Sequence, residues 1–219
     1  MKCQRVLDEV RDELNDPSEV WRTNGDLLAH FNDALLVLAM FRPDAVAITE
    51  PILLAQGTLQ ELPATGLRLI KITRNMGTAG TTPGRAINLG DMSALDALSP
   101  TWHSEAGTGT VYEYFYDPLT PKQFFVYPGV PASPAVYVEA SYSHAPTPVT
   151  DAAATDLPVD DIYAPALREW MLYRAWGGDD ESSPNYSAAR DRRQAFFTML
   201  GLKAPTDAAV SAKPARQQA

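Results

Sequence analysis

Proline placement constrains this chain more than any other feature. Of 18 prolines in 219 residues, residues 1–42 hold only Pro17, whereas thirteen fall between Pro43 and Pro158. Proline lacks a backbone donor and clashes inside a helix, so long helices are confined to the two ends and the middle must be short strands and turns. A chain of this length can bury about 70% of the surface it exposes when unfolded, so a sizeable core is available.

Hydrophobic spacing agrees with that division. Residues 2–14 place Cys3, Val6, Leu7, Val10 and Leu14 on one helical face with Asp8, Glu9 and Asp12 opposite, and this helix should stop at Asn15-Asp16-Pro17. A second helix is expected from Thr23, its N-cap, to Arg42, with Asp26 completing a capping box. Leu27, Phe31, Ala34, Leu35, Leu38 and Phe41 form its main stripe, while Leu36 and Met40 project from the opposite side. A helix apolar all round is buried on more than one side. Either it is central in its own subunit, or its second face meets a neighbouring copy.

From Val46 to Ser143 the period falls to two, predicting strands at 46–49, 52–56, 58–62, 67–74, 85–89, 110–116, 123–127 and 135–143. The strongest hairpin joins TVYEYFY to QFFVYP through Asp117-Pro118-Leu119-Thr120-Pro121, and Ser93–Leu98 reads as a short helical turn. Residues 144–159 have linker composition. A third helix should then start at Asp161 as N-cap, accept Pro165 in its first turn and end at Gly177-Gly178. Tyr163, Ala166, Leu167, Trp170 and Tyr173 make its main stripe, with Leu172 and Trp176 pointing away. In a fourth helix, Ser183 and Pro184 form the start, Tyr186, Ala189, Phe196, Phe197 and Leu200 the apolar face, and Gly201 the stop. Lys203–Ala219 has no large apolar side chain except Val210 and is expected to be disordered in isolation.

The expected fold is therefore α+β: a four-helix bundle of two N-terminal and two C-terminal helices, an inserted antiparallel β domain and a disordered C-terminal tail. The boundaries fall at 1–43, 44–145, 146–202 and 203–219.

Charge narrows the partners. With 18 Lys and Arg against 27 Asp and Glu the net charge is −9, which argues against gripping nucleic acid by neutralising phosphates. A negative wall can still leave a duplex free to slide past it. Cys3 is the only cysteine, so an internal disulfide and a multi-cysteine metal site are both excluded. MKCQRVLDEV lacks the apolar run of a signal peptide and no stretch is long enough to span a bilayer, so a soluble protein made in the cytoplasm is expected.

Chemistry is scarce. His30, His103 and His144 share no metal-ligand spacing, and GTAGTTPG at 77–84 lacks the Gly-Lys-Ser/Thr of a phosphate loop. Asp160, Asp161 and Glu169, and the run Asp179-Asp180-Glu181, could in principle serve acid–base or metal chemistry. A helix start and a glycine-led loop already account for most of them; a channel-facing role for the acidic runs is the other expectation. Tyr112, Tyr114 and Tyr116 alternate and could form a sugar-binding platform, although cross-strand packing is the commoner use. No enzyme activity and no cofactor is implied.

Six segments carry a resemblance: LNDP (14–17), FRPDA (41–45), GLRLIKITRNMG (66–77), TPGRAI (82–87), VYPGVP (126–131) and DIYAPALREWMLYRAW (161–176). Over about residues 1–202 the chain resembles a tailed-phage structural family of adaptor, or head–tail connector, proteins, and more distantly the tail tubular protein A adaptors of short-tailed phages. The resemblance implies a virion protein at the capsid–tail junction. It would form a ring, commonly of twelve copies, between the portal protein and a tail or nozzle protein, with DNA passing through without specific binding. It also implies a C-terminal segment docked on the portal, here Lys203, Pro205, Val210, Lys213, Pro214 and Arg216. The surplus apolar residues Leu36, Met40, Leu172 and Trp176 would then supply subunit or inter-helix contacts.

Overall fold

The computed structural model describes residues 1–177 and 184–202. They comprise helices α1 (Cys3–Leu14), α2 (Asn24–Phe41), α3 (Met92–Leu98), α4 (Ala164–Trp176) and α5 (Pro184–Met199). The strands are β1 (Ala47–Leu53), β2 (Gly57–Glu61), β3 (Gly66–Asn75), β4 (Asn88–Leu89), β5 (Glu113–Phe115), β6 (Gln123–Val130) and β7 (Tyr137–His144). The chain divides into two compact units, Met1–Leu38 with the described residues from Thr147 on, and Ala39–Pro146.

The first unit is helical, and local signals end its helices. Asn15 adopts the left-handed conformation (φ 52°) that closes α1, with Asn15 N–H on Asp12 O and Asp16 N–H on Arg11 O. Asp16 then turns the chain, because its carboxylate accepts the backbone N–H groups of Val20, Trp21 and Arg22 at 2.8, 3.0 and 2.9 Å. Those bonds, Arg22's foremost, hold its carboxyl below the usual carboxylate range. The capping box of α2 is reciprocal: Thr23 N–H donates to Asp26 Oδ2 at 3.0 Å and Asp26 N–H to Thr23 Oγ1 at 3.1 Å. At the end of α5, Gly201 (φ 71°) sends its N–H to Thr198 O and Leu202 to Phe197 O, a Schellman closure.

The core of this unit contains Val6, Leu7 and Val10 of α1, Phe31, Leu35 and Leu38 of α2, Leu167, Met171 and Leu172 of α4, and Phe196 and Phe197 of α5. Each such side chain stabilises the fold by roughly 1.5–3 kcal/mol through burial. Trp170 packs on Phe196 with ring centroids 4.9 Å apart, and its indole N–H donates to Asp33 Oδ2 at 2.8 Å.

Two features differ from the sequence expectation here. Asp160, not Asp161, caps the start of the third helical segment, accepting Ile162 N–H at 3.0 Å, and a 3-10 turn over Asp161–Tyr163 precedes α4. The turn moves the cap one residue back and puts Pro165 in the first turn of α4. The 144–159 segment does more than connect: Thr155 O and Ala152 O accept the first N–H groups of α1, at 3.1 and 2.9 Å, so it caps a helix that has no side-chain cap of its own.

The second unit holds two sheets, ordered β1-β7-β3 and β2-β6-β5-β4. All pairings are antiparallel except β4 with β5, which is parallel, so the unit is mixed where a purely antiparallel one was expected. Their facing sides form one apolar cluster including Leu69, Ile72, Val111, Tyr114, Phe124, Val126, Val138 and Tyr142. The two strands expected at 46–49 and 52–56 are one, β1, running through Pro51. Because β1 is an edge strand, Pro51's missing N–H costs no ladder bond. Pro128 in β6 stands where the β2–β6 register shifts between Gly57 and Leu59. The β5–β6 hairpin is as expected, with Leu119 N–H on Asp117 Oδ1 in its turn. The 77–84 run links β3 to β4, and buried Asn75 holds the chain on either side of β4 through Arg85 O, Val111 O and Val111 N–H.

Candidate functional site

No chemistry-bearing cluster forms among the described residues. Among the described residues no group of three or more His, Cys, Asp or Glu could hold a metal ion, and no helix is long and apolar enough to cross a membrane. The histidines are scattered. His103 stacks on Trp102 and its Nδ1 lies 2.8 Å from Thr58 Oγ1, while His30 sits on α2, where burial, with Arg174 and Arg22 near, lowers its imidazole below the usual value. Burial pushes the Cys3 thiol up, which leaves it a poor nucleophile.

Of the carboxylates considered for acid–base work, Asp160, Asp161 and Glu169 are structural. Asp160 is a cap, and Asp161 pairs with the Met1 ammonium group at 3.1 Å. Glu169, only 2% exposed, is held by Arg192 at 3.0 Å and Arg168 at 3.3 Å, and Arg192 also reaches Glu13. This network ties α1, α4 and α5 together. Burial alone would lower the Arg192 pKa, but the hydrogen bonds and charges of Glu169 and Glu13 outweigh it and raise it. Sequence reasoning missed the pairing, although a carboxylate one turn from both Ala166 and Leu172 already demanded a cation. Asp179, Asp180 and Glu181 lie outside the described residues, as does the tail 203–219.

The tyrosine platform does not exist. Tyr112 is 40% exposed with Arg85 over its ring at 4.4 Å, Tyr114 is buried in the core, and the Tyr116 hydroxyl points to Pro121 O. Regular strand pairing covers only Glu113–Phe115, and both sides of it are packed: Tyr114 faces the inter-sheet core and Phe115 lies 5.5 Å from Trp102. A ligand could not lie across three rings of which one is internal.

The remaining candidate is surface. Leu36 and Met40, one turn apart on α2, are 55% and 66% exposed, whereas Leu27, Phe31, Ala34, Leu35 and Leu38 on the other side are buried. Leu172 on α4, expected to point away from the main stripe, is fully buried, and Trp176 is half-buried under Arg192, 5.3 Å from its ring. Of the four surplus apolar residues, the two on α2 are thus open to a partner.

No curated protein matches the chain. The family described as SU10 adaptor protein matches residues 1–218. A match of that extent, on a chain with helices at both ends, β sheets between and no catalytic constellation among its described residues, places it among the structural head-to-tail connectors of phage virions, which join head and tail components. The chain belongs to the SU10 adaptor protein family.

Proposed function

We propose that the protein works as a ring of twelve copies below the portal at the capsid–tail junction, after synthesis in the host cytoplasm. The ring joins the portal to a tail or nozzle protein and lets DNA pass without specific binding. The observation that carries this is the exposed second apolar face of α2: Leu36 and Met40 are left uncovered by the described residues of a single chain, and a closed ring of identical subunits gives such a face a partner. The exposed Asp160 and Asp161, with Asp179, Asp180 and Glu181, then supply carboxylates to a lumen that repels duplex. The segment Lys203–Ala219, with Lys203, Pro205, Val210, Lys213, Pro214 and Arg216, orders on the portal.

Negative-stain microscopy of the protein with and without portal rings tests the proposal. It requires a second ring stacked on the portal, and a monomer indifferent to the portal would refute it. Deleting residues 203–219 should abolish capture by immobilised portal in a pull-down, and undiminished capture would show that the tail is not the docking segment.

A further inference from the structure

Strand β3 breaks strand periodicity in a way that sorts charge. Gly66, Leu69, Ile72 and Asn75 are buried at intervals of three, because the β3–β7 register shifts between Gly66 and Arg68, Leu69 and Lys71, and Ile72 and Arg74. In a regular strand Lys71 would face opposite to Arg68 and Arg74. With these shifts all three stand opposite Ser143, Ser141 and Glu139, of which Ser143 is buried and Ser141 and Glu139 half-buried, while Leu69, Ile72 and Asn75 stand opposite Tyr142, Ala140 and Val138 on the core side. Arg74 pairs with Glu139 at 2.8 Å. Arg68 and Lys71 are exposed and have no ion-pair partner among the described residues. A chain of net charge −9 thus presents two exposed cations along one edge strand.

The matching surface lies on α1. Asp8 and Asp12 are exposed one turn apart on the side away from Val6, Leu7 and Val10. Asp8 accepts only Gln4 Nε2, at 2.8 Å, and Asp12 meets no cation among the described residues, whereas Glu9 and Glu13 are engaged by Arg5, Arg168 and Arg192. Like charges at this helical spacing repel, so the pair is relieved by an outside cation. The spacings agree: Arg68 and Lys71 face β7 residues two apart, roughly 7 Å, and Asp8 and Asp12 are about 6 Å apart along the helix axis.

We infer that the Arg68–Lys71 face of β3 docks on the Asp8–Asp12 face of α1 in a second copy of this chain. The inference rests on the ring reading above and deepens it. A head-to-tail ring needs two different, complementary surfaces on every subunit, and twelve acidic subunits need cations at their contacts.

Charge exchange on the full-length protein, viewed on portal rings by negative stain with a thermal melt of each variant, tests it. R68E/K71E and D8K/D12K should each lose the ring while melting like wild type, and the fourfold variant should regain it. R68Q/K71Q, which removes the charges without reversing them, should weaken the ring as well, guarding against a folding defect in the reversal. A ring that survives R68E/K71E, or a fourfold variant that melts like wild type and stays monomeric, would overturn the inference alone. So would an intact R68E/K71E ring that binds fluorescent duplex DNA more weakly than wild type, since the cations would then serve DNA. Absence of a ring in the wild-type protein would overturn the functional reading and this contact together.

Discussion

Helices α2 and α4 share a sequence signature, apolar residues on two sides, and meet different fates. In α4, Leu167, Met171, Leu172 and Ala175 are all fully buried, and Glu169, on the Leu172 side, is neutralised by Arg192 of α5. In α2 the first side is buried as completely, but Leu36 and Met40 are open to solvent. Periodicity therefore reports that a face is apolar, not what covers it. Where the cover is another helix of the same unit the second face becomes core; where the described residues supply none, the face stays open to solvent.

Substitutions should separate the two helices most widely at α4. Arg192→Met leaves Glu169 buried without its main cation, and a broken buried pair costs about 3–5 kcal/mol, toward the low end here because Arg168 stays beside it. Urea unfolding should read that loss; a shift near zero would mean that Glu169 is solvated. Next is Leu172→Ala, which should cost about 2–5 kcal/mol through the cavity it leaves. The same measurement on L36S/M40S should move the isolated protein by less than about 0.5 kcal/mol, since neither side chain is core. That variant should nonetheless fail to form the ring, so the two helices separate stability from assembly.

The smallest effects are in pH dependence. Asp16's carboxyl is held low by the backbone N–H groups of Arg22, Val20 and Trp21. Its contribution is complete above the unfolded value of about 3.9 and is lost as pH falls through the lower folded value; Asp16→Asn should remove that acid-side slope from a melting-temperature series. His30 has the opposite chemistry and the same direction. Burial, then Arg174 and Arg22, disfavours its charged form and lowers its folded value, so stability should decline as pH drops below the unfolded value of about 6.5 toward the folded one. His30→Gln should flatten that part of the curve, and an unchanged slope would mean that His30 protonates freely in the folded chain.

Much of this was legible from local chemistry. Asn15-Asp16-Pro17, the Thr23–Asp26 box, Gly201 and the Asp117 turn each announce a boundary through one side chain or one backbone conformation. The features that were not legible depended on partners distant in sequence. The bulges of β3 leave no mark in a strand of mixed Leu, Ile, Lys and Arg; they arise from pairing with β7. Tyr114 and Tyr112 look alike in a run of alternating tyrosines, and only the packing of both sides of β5 separates them. The capping of α1 by Thr155 and Ala152 carbonyls uses backbone groups, which no side-chain pattern records. The second face of α2 was the reverse case: Leu36 and Met40 were visible as surplus, and their exposure is what the fold adds.

Whether assembly covers α2's second face can be measured directly. Cys3 is the only native cysteine and is buried, so Met40→Cys introduces a single reactive reporter. Its rate of maleimide labelling should be that of an exposed thiol in the isolated protein and should fall sharply once the protein is mounted on portal rings. Equal labelling in both states, on particles shown by microscopy to carry the ring, would contradict burial of this face in the assembly.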